Sequence, residues 1–227
     1  MNSHLDRYIS ELDQEFQRMK NIEIAQQQKT YMKGQFEYFG LKTEDRRKLT
    51  QPFLQKEFLP SLDEVPFLIR KLWGKPQRDF QMFGLDLMGK YKKKLRLKDL
   101  EWIEFAIATK SWWDTVDFVA SHLVGAYMVK FPDRRNETIN KWMSGGNMWQ
   151  QRSCVIFQLK YKNAVDKELL ATLINQLLGS KEFYINKAIG WSLRECSKVN
   201  ADWVVDFANK TELSNLSRRE ALRLIKS

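Results

Sequence analysis

Residues 111–131 read SWWDTVDFVASHLVGAYMVKF, and their spacing decides the fold class. Trp113, Asp117, Ala120, Val124, Tyr127 and Phe131 recur at intervals of four and three, which places them on one face of an α-helix. That stripe carries a single charge, Asp117. The preceding Ser111-Trp-Trp-Asp114 fits a capping box, with Ser111 as N-cap and Asp114 at N3, which gives Asp114 a structural explanation. Asp117 has none. Burying an unpaired carboxylate is costly, so Asp117 either meets a cation or hydroxyl or faces a site where its charge is used. Trp113, one helical turn earlier, forms with it a cleft suited to a cationic or apolar ligand.

Outward from this helix the same pattern recurs. An aromatic opens a helical segment at Phe80, Trp112, Trp149 and Phe183, in RDFQMFGLDLMGKYKK, the stretch above, WQQRSCVIFQLKYK and EFYINKAIGWSLRECSK. Punctuation is confined to Pro52, Pro60, Pro66, Gly74 to Pro76, Pro132 and Gly145-Gly146, and no stretch sustains a period of two. Recurrence every 32 to 37 residues predicts helix pairs stacked as an all-α solenoid of HEAT-like repeats. The expected organisation is one domain over residues 1–227 with a concave binding face, and what lines that face decides the function.

Composition narrows the function. The chain has 227 residues, 38 Lys plus Arg against 28 Asp plus Glu, and a net charge of +10, which makes a polyanion the first partner to test. Gly 10 and Pro 5 are too few for a turn-rich all-β fold or a disordered linker. Cys154 and Cys196 lie in apolar helical patterns and read as buried thiols of a cytoplasmic protein. His4 and His122 lie far apart, which leaves neither a His-based metal site nor a triad. No apolar run suits a signal peptide or membrane span, so no membrane partner is expected.

The segment 182–198 has two faces. Ile185, Ile189, Leu193 and Cys196 form a core stripe, while Tyr184, Lys187, Trp191, Arg194 and Lys198 form an aromatic and cationic face without an acid of its own. Such interleaving suits nucleic acid, because bases and sugars offer apolar and π surfaces and phosphates need cations. A solvated basic face with Trp191 packed into a neighbouring repeat is the alternative. Arg46 to Lys48, Lys92 to Lys94 with Arg96 and Lys98, Lys160 with Lys162, and Arg218-Arg219 suit phosphate contact as well.

TYMKGQFEYFGLKTEDRRKL, TKSWWDTVD, WQQRSCVIFQLKYK, SKEFYINKAIGWSLRE and LSRREALRLIK, in that order, cover nearly the whole chain. Together they resemble the AlkD-type family of bacterial DNA alkylation repair glycosylases, built of HEAT-like repeats. The resemblance implies that Asp117, the second Asp of WWDxVD, is the catalytic carboxylate, flanked by the indoles of Trp113 and Trp191. It further implies that Arg152 and Arg194 hold the DNA backbone and that Tyr31 lies near the duplex, with Lys187 and Lys198 joining from the helix-face reading. Gly145-Gly146, before Asn147, departs from the more polar loop expected.

The implied reaction is hydrolysis of the N-glycosidic bond of a cationic N3- or N7-alkylated purine in duplex DNA, a step of base excision repair. No cofactor and no metal are implied, and a monomer is expected. The alternatives are a DNA-binding repeat protein without catalysis and a protein-binding scaffold.

Overall fold

The computed structural model describes residues 3–225. They form helices throughout, joined by short turns, and the one β-type pairing among them is an isolated bridge between Glu37 and Gln77. The all-α, helical-repeat expectation therefore holds. The chain packs as two compact units, residues 1–109 and 110–227.

The first unit holds α1 (Ser3–Arg18), α2 (Ile22–Tyr31), α3 (Thr43–Thr50), α4 (Val65–Gly74), α5 (Arg78–Tyr91) and α6 (Leu100–Ala108). Its core includes an aromatic cluster in which Phe16, Phe39 and Phe80 have ring centroids 5.2 to 5.7 Å apart. Phe80, the first of the recurring aromatics, is fully buried there. In contrast, α2 buries no residue, and Tyr31 at its last position is 73% exposed.

The second unit begins with α7 (Trp113–Phe118), which runs through a π-helical segment, Val119–Val124, into α8 (Gly125–Lys130). Beyond it lie α9 (Arg135–Ser144), α10 (Met148–Ile156), α11 (Lys167–Gln176), α12 (Phe183–Ser197), α13 (Ala201–Lys210) and α14 (Asn215–Leu222). Helix α10 packs on both α7 and α12, and α14 packs on α12. The recurring aromatics fall at helix starts here too: Trp112 is the N-cap of α7, Trp149 the second residue of α10 and Phe183 the first of α12.

The Gly145-Gly146 pair has a local explanation. Gly146 adopts φ +71°, a left-handed conformation that a side chain disfavours, and it ends α9. Asn147 then caps α10, its side-chain oxygen accepting from the amides of Trp149 at 2.9 Å and Gln150 at 3.2 Å. The stop and the cap fix where α10 begins, and hence where Arg152 points.

Both cysteines are free and buried, and burial pushes the Cys154 thiol up to about 12. Among the described residues, no helix is long and apolar enough to cross a membrane, and no cluster of three His, Cys, Asp or Glu could hold a metal ion.

Candidate functional site

The site is built on α7, α10 and α12. Helix α7 starts one residue later than the capping box implied: Trp112, not Ser111, is the N-cap, which moves Asp114 to the second helical position. There Asp114 accepts from the Thr115 amide at 2.9 Å. It still satisfies a helix-start donor and complements the positive end of the helix dipole, but not from N3 of a box.

Asp117, one turn on, meets a cation. Arg152 of α10 donates from Nε to Oδ1 at 2.8 Å and from Nη2 to Oδ2 at 2.9 Å, a bidentate pair. The third contact of the guanidinium, from Nη1, goes to the backbone carbonyl of Tyr184 on α12. One arginine thus spans all three helices. The Arg152 side chain is only 3% exposed, so it is presented to Asp117 rather than to solvent, whereas Asp117 keeps 18%. A bidentate arginine uses two of the carboxylate's four lone-pair positions and leaves two for a further donor.

Burial raises the Asp117 carboxyl above its ordinary value, and the hydrogen bonds and charge of Arg152 oppose that rise, while Asp114 adds a smaller upward push. The bidentate geometry suits an ionised carboxylate, because a guanidinium stays protonated and both carboxylate oxygens accept from it.

Immediately after Asp117 the helix widens into its π-helical segment. The Ser121 hydroxyl donates to the Asp117 carbonyl at 2.6 Å, and the His122 ring stacks on Phe118 with centroids 4.4 Å apart. Such segments recur at functional sites because the extra residue rotates the downstream helix about its axis relative to the upstream one. Here Val116, Val119, Ala120 and Leu123 stay in the core while Asp117 stays at its margin. Strict three-and-four spacing could not show this insertion.

Beside the ion pair lies an aromatic trio. Trp112, Trp149 and Tyr184 have centroids 5.8 Å (Trp112 to Trp149), 5.3 Å (Trp112 to Tyr184) and 5.0 Å (Trp149 to Tyr184) apart, and the Arg152 guanidinium sits 6.0 Å from the Tyr184 ring centre. Trp113 and Trp191 are half-buried, and Trp191 packs against the core cluster of this unit. Among the sequence expectations, then, Asp117 and Arg152 are in contact, and Trp113 and Trp191 sit on the two helices that flank α10. Tyr31 belongs to the first unit.

The cationic face of α12 does have an acid, supplied by α14. Glu220, buried, accepts from Lys187 at 2.7 Å and from Arg194. Lys198 pairs with Glu195 at 2.7 Å. Several basic clusters are likewise tied into the protein: Arg46 is buried against Asp86 at 2.6 Å, Arg96 is held by Asp63 and Asp99, and Arg218 donates to Ala208 and Asn209. These three arginines are structural, because partners elsewhere on the chain neutralise or bind them.

An arginine-held carboxylate at the margin of an all-α core, beside an aromatic trio, is the centre of the candidate site of this helical-repeat protein. The family model described as DNA alkylation repair enzyme matches residues 12–225, and the chain belongs to that family. Among solved structures it is similar to one described as "Predicted DNA alkylation repair enzyme from Enterococcus faecalis", with a TM-score of 0.85 and 27% identity, over 92% of this chain and 98% of that one. Comparison with curated proteins gives no match.

Proposed function

We propose that this member of the family is a DNA glycosylase that hydrolyses the N-glycosidic bond of cationic N3- or N7-alkylated purines in duplex DNA. The observation that carries the reading is the Asp117 carboxylate, fixed by Arg152 yet left with free lone pairs and partial exposure. Alkylation makes the purine cationic, so it leaves with the bonding electron pair as a neutral base and needs no general acid. Positive charge grows on the deoxyribose as the bond to C1′ breaks. Ionised Asp117 stabilises that charge and orients a water, whose oxygen bonds to C1′ while its proton passes to the carboxylate or to solvent.

Arg152, expected to hold the DNA backbone, has its guanidinium taken up by Asp117 and the Tyr184 carbonyl and is buried, so in this reading it orients Asp117 and favours its ionised form. Trp113 and Trp191 shield the sugar and offer electron-rich faces to its cationic C–H groups. Lys187, Arg194 and Lys198, together with Tyr31 on the first unit, contact the DNA backbone, and the protein acts as a monomer without a cofactor. The test is release of free base from a duplex containing N7-methylguanine by wild type and Asp117→Asn. Binding without release by the wild type defeats the enzyme reading and leaves a non-catalytic DNA-binding protein. Equal release by the variant defeats the role given to Asp117.

A further inference from the structure

The second unit holds two ion clusters, the candidate site itself and one around Glu220, and their charge balance differs. Asp117 with Arg152 is one anion to one cation. Glu220 carries three cations: Lys187 Nζ at 2.7 Å from Oε1, Arg194 Nη1 on Oε2 and, more loosely, Arg223 Nη1 at 3.8 Å from Oε2. One carboxylate cannot neutralise three cations, so the cluster keeps an excess of positive charge and an affinity for a further anion.

Its donors are also only partly used. Lys187 spends one of its three N–H groups on Glu220 and Arg194 one of its five, and among the described residues neither side chain has another partner. Lys187 is 37% exposed and Arg194 16%, against 8% for Glu220, so the cations lie outward of the acid. Lys187 stands four residues before Trp191 and Arg194 three after it, which puts all three on one face of α12. The Lys187 pairing holds the Glu220 carboxyl below its usual range, so it is ionised throughout the neutral region.

Glu220 itself is placed by backbone packing. A Cβ on Gly190 would stand 2.5 Å from the Glu220 Cβ and 2.9 Å from the Ser217 carbonyl, so only glycine lets α14 approach α12 this closely. The Ser217 hydroxyl donates to the Asn186 carbonyl at 2.9 Å and fixes the register of the two helices.

We propose that Glu220 is a positioning residue that holds Lys187 and Arg194 side by side as a preformed anchor for a backbone phosphate next to Trp191. The inference rests on the reading of the chain as a DNA-binding enzyme. Holding the two long side chains in advance removes the entropy that each would otherwise lose on meeting the phosphate, and their unused donors remain available to it.

The decisive variant is Glu220→Asp, which keeps the charge but is one methylene too short to reach both cations. Affinity for an undamaged duplex is measured over a salt series, with a thermal melt to establish folding. The proposal expects binding roughly tenfold weaker and a salt slope shallower by about one. Unchanged affinity and slope in a folded Glu220→Asp overturn it. So does tighter binding by Glu220→Gln, which would make the carboxylate a competitor of phosphate. If Glu220→Asp does not melt cooperatively, Gly190→Ala displaces Glu220 without altering a charged group and is held to the same two expectations. A wild type that fails to bind duplex at low salt overturns the DNA-binding reading and this inference with it; an effect confined to the variants separates the two.

Discussion

Asp117→Asn keeps the shape of the side chain and removes its charge, so its effect can be worked from the geometry of the ion pair. At an effective dielectric constant near 20, a carboxylate about 4 Å from a positive anomeric centre contributes roughly 4 kcal/mol, and a guanidinium behind it at about 8 Å returns roughly 2 kcal/mol of repulsion. The amide deletes the first contribution and leaves the second. The barrier therefore rises by about 4 kcal/mol, a loss of about a thousandfold in the single-turnover rate of 7-methylguanine release. Asp117→Asn combined with Arg152→Gln removes both charges and should recover to about thirtyfold below wild type. Rates are compared below the melting temperature of each variant. A single variant within tenfold of wild type refutes the electrostatic role. A double variant no faster than the single refutes the account of Arg152 as a charge behind the carboxylate.

Three further outcomes are expected. Because burial raises the Asp117 carboxyl and catalysis needs it ionised, kcat/KM should fall on the acid side through a value above the free carboxylate's, which lies near about 3.9. The stability contribution runs the other way: a raised native value favours the fold most below the unfolded carboxyl's value and is lost as pH rises through the native one, so melting in Asp117→Asn should lack that decline. Gly190→Ala drives a methyl into Glu220 and Ser217 and should lower stability by about 1 to 3 kcal/mol in a denaturant titration. Asn147→Ala removes the cap of α10 and should cost about 1 kcal/mol by the same measurement.

The helical architecture was legible because its cause is local. Ile185, Ile189, Leu193 and Cys196 are spaced to share one side of α12, and each is buried there. Asp117 was singled out by the same logic, as the one charge on an otherwise apolar stripe. Its partner was not, because Arg152 lies 35 residues away and nothing in either sequence neighbourhood records that α10 packs on α7. Glu220 escaped notice for the same reason. The acid that pairs with Lys187 and Arg194 is not on α12 but arrives from another helix through an approach that depends on Gly190. The π-helical segment was invisible to periodicity, since one inserted residue changes the phase without changing the composition of either flank.

These long-range partnerships alter how the net charge of +10 bears on function. A count of basic residues treats every cation as available to DNA, yet Arg46, Arg96 and Arg218 are committed to the fold and Arg152 to Asp117. What distinguishes a cation poised for phosphate is excess charge and unused donors at a partly exposed position, and Lys187 and Arg194 meet both conditions around Glu220. Under the proposed glycosylase reading, the two clusters would divide the work that a cationic lesion requires. A balanced pair with its carboxylate partly exposed would oppose positive charge growing at C1′, whereas an unbalanced cationic cluster there would raise the barrier it must lower. Phosphate binding needs the reverse, and the geometry puts the surplus of cations on a different helix pair, α12 with α14, from the α7 and α10 pair that holds the acid. Glu220→Lys should accordingly weaken phosphate discrimination and fold stability together, while Asp117→Asn should leave duplex affinity within a few-fold of wild type and remove catalysis. That separation, read from the same salt series and base-release assay, is what a site with one undivided electrostatic field would fail to give.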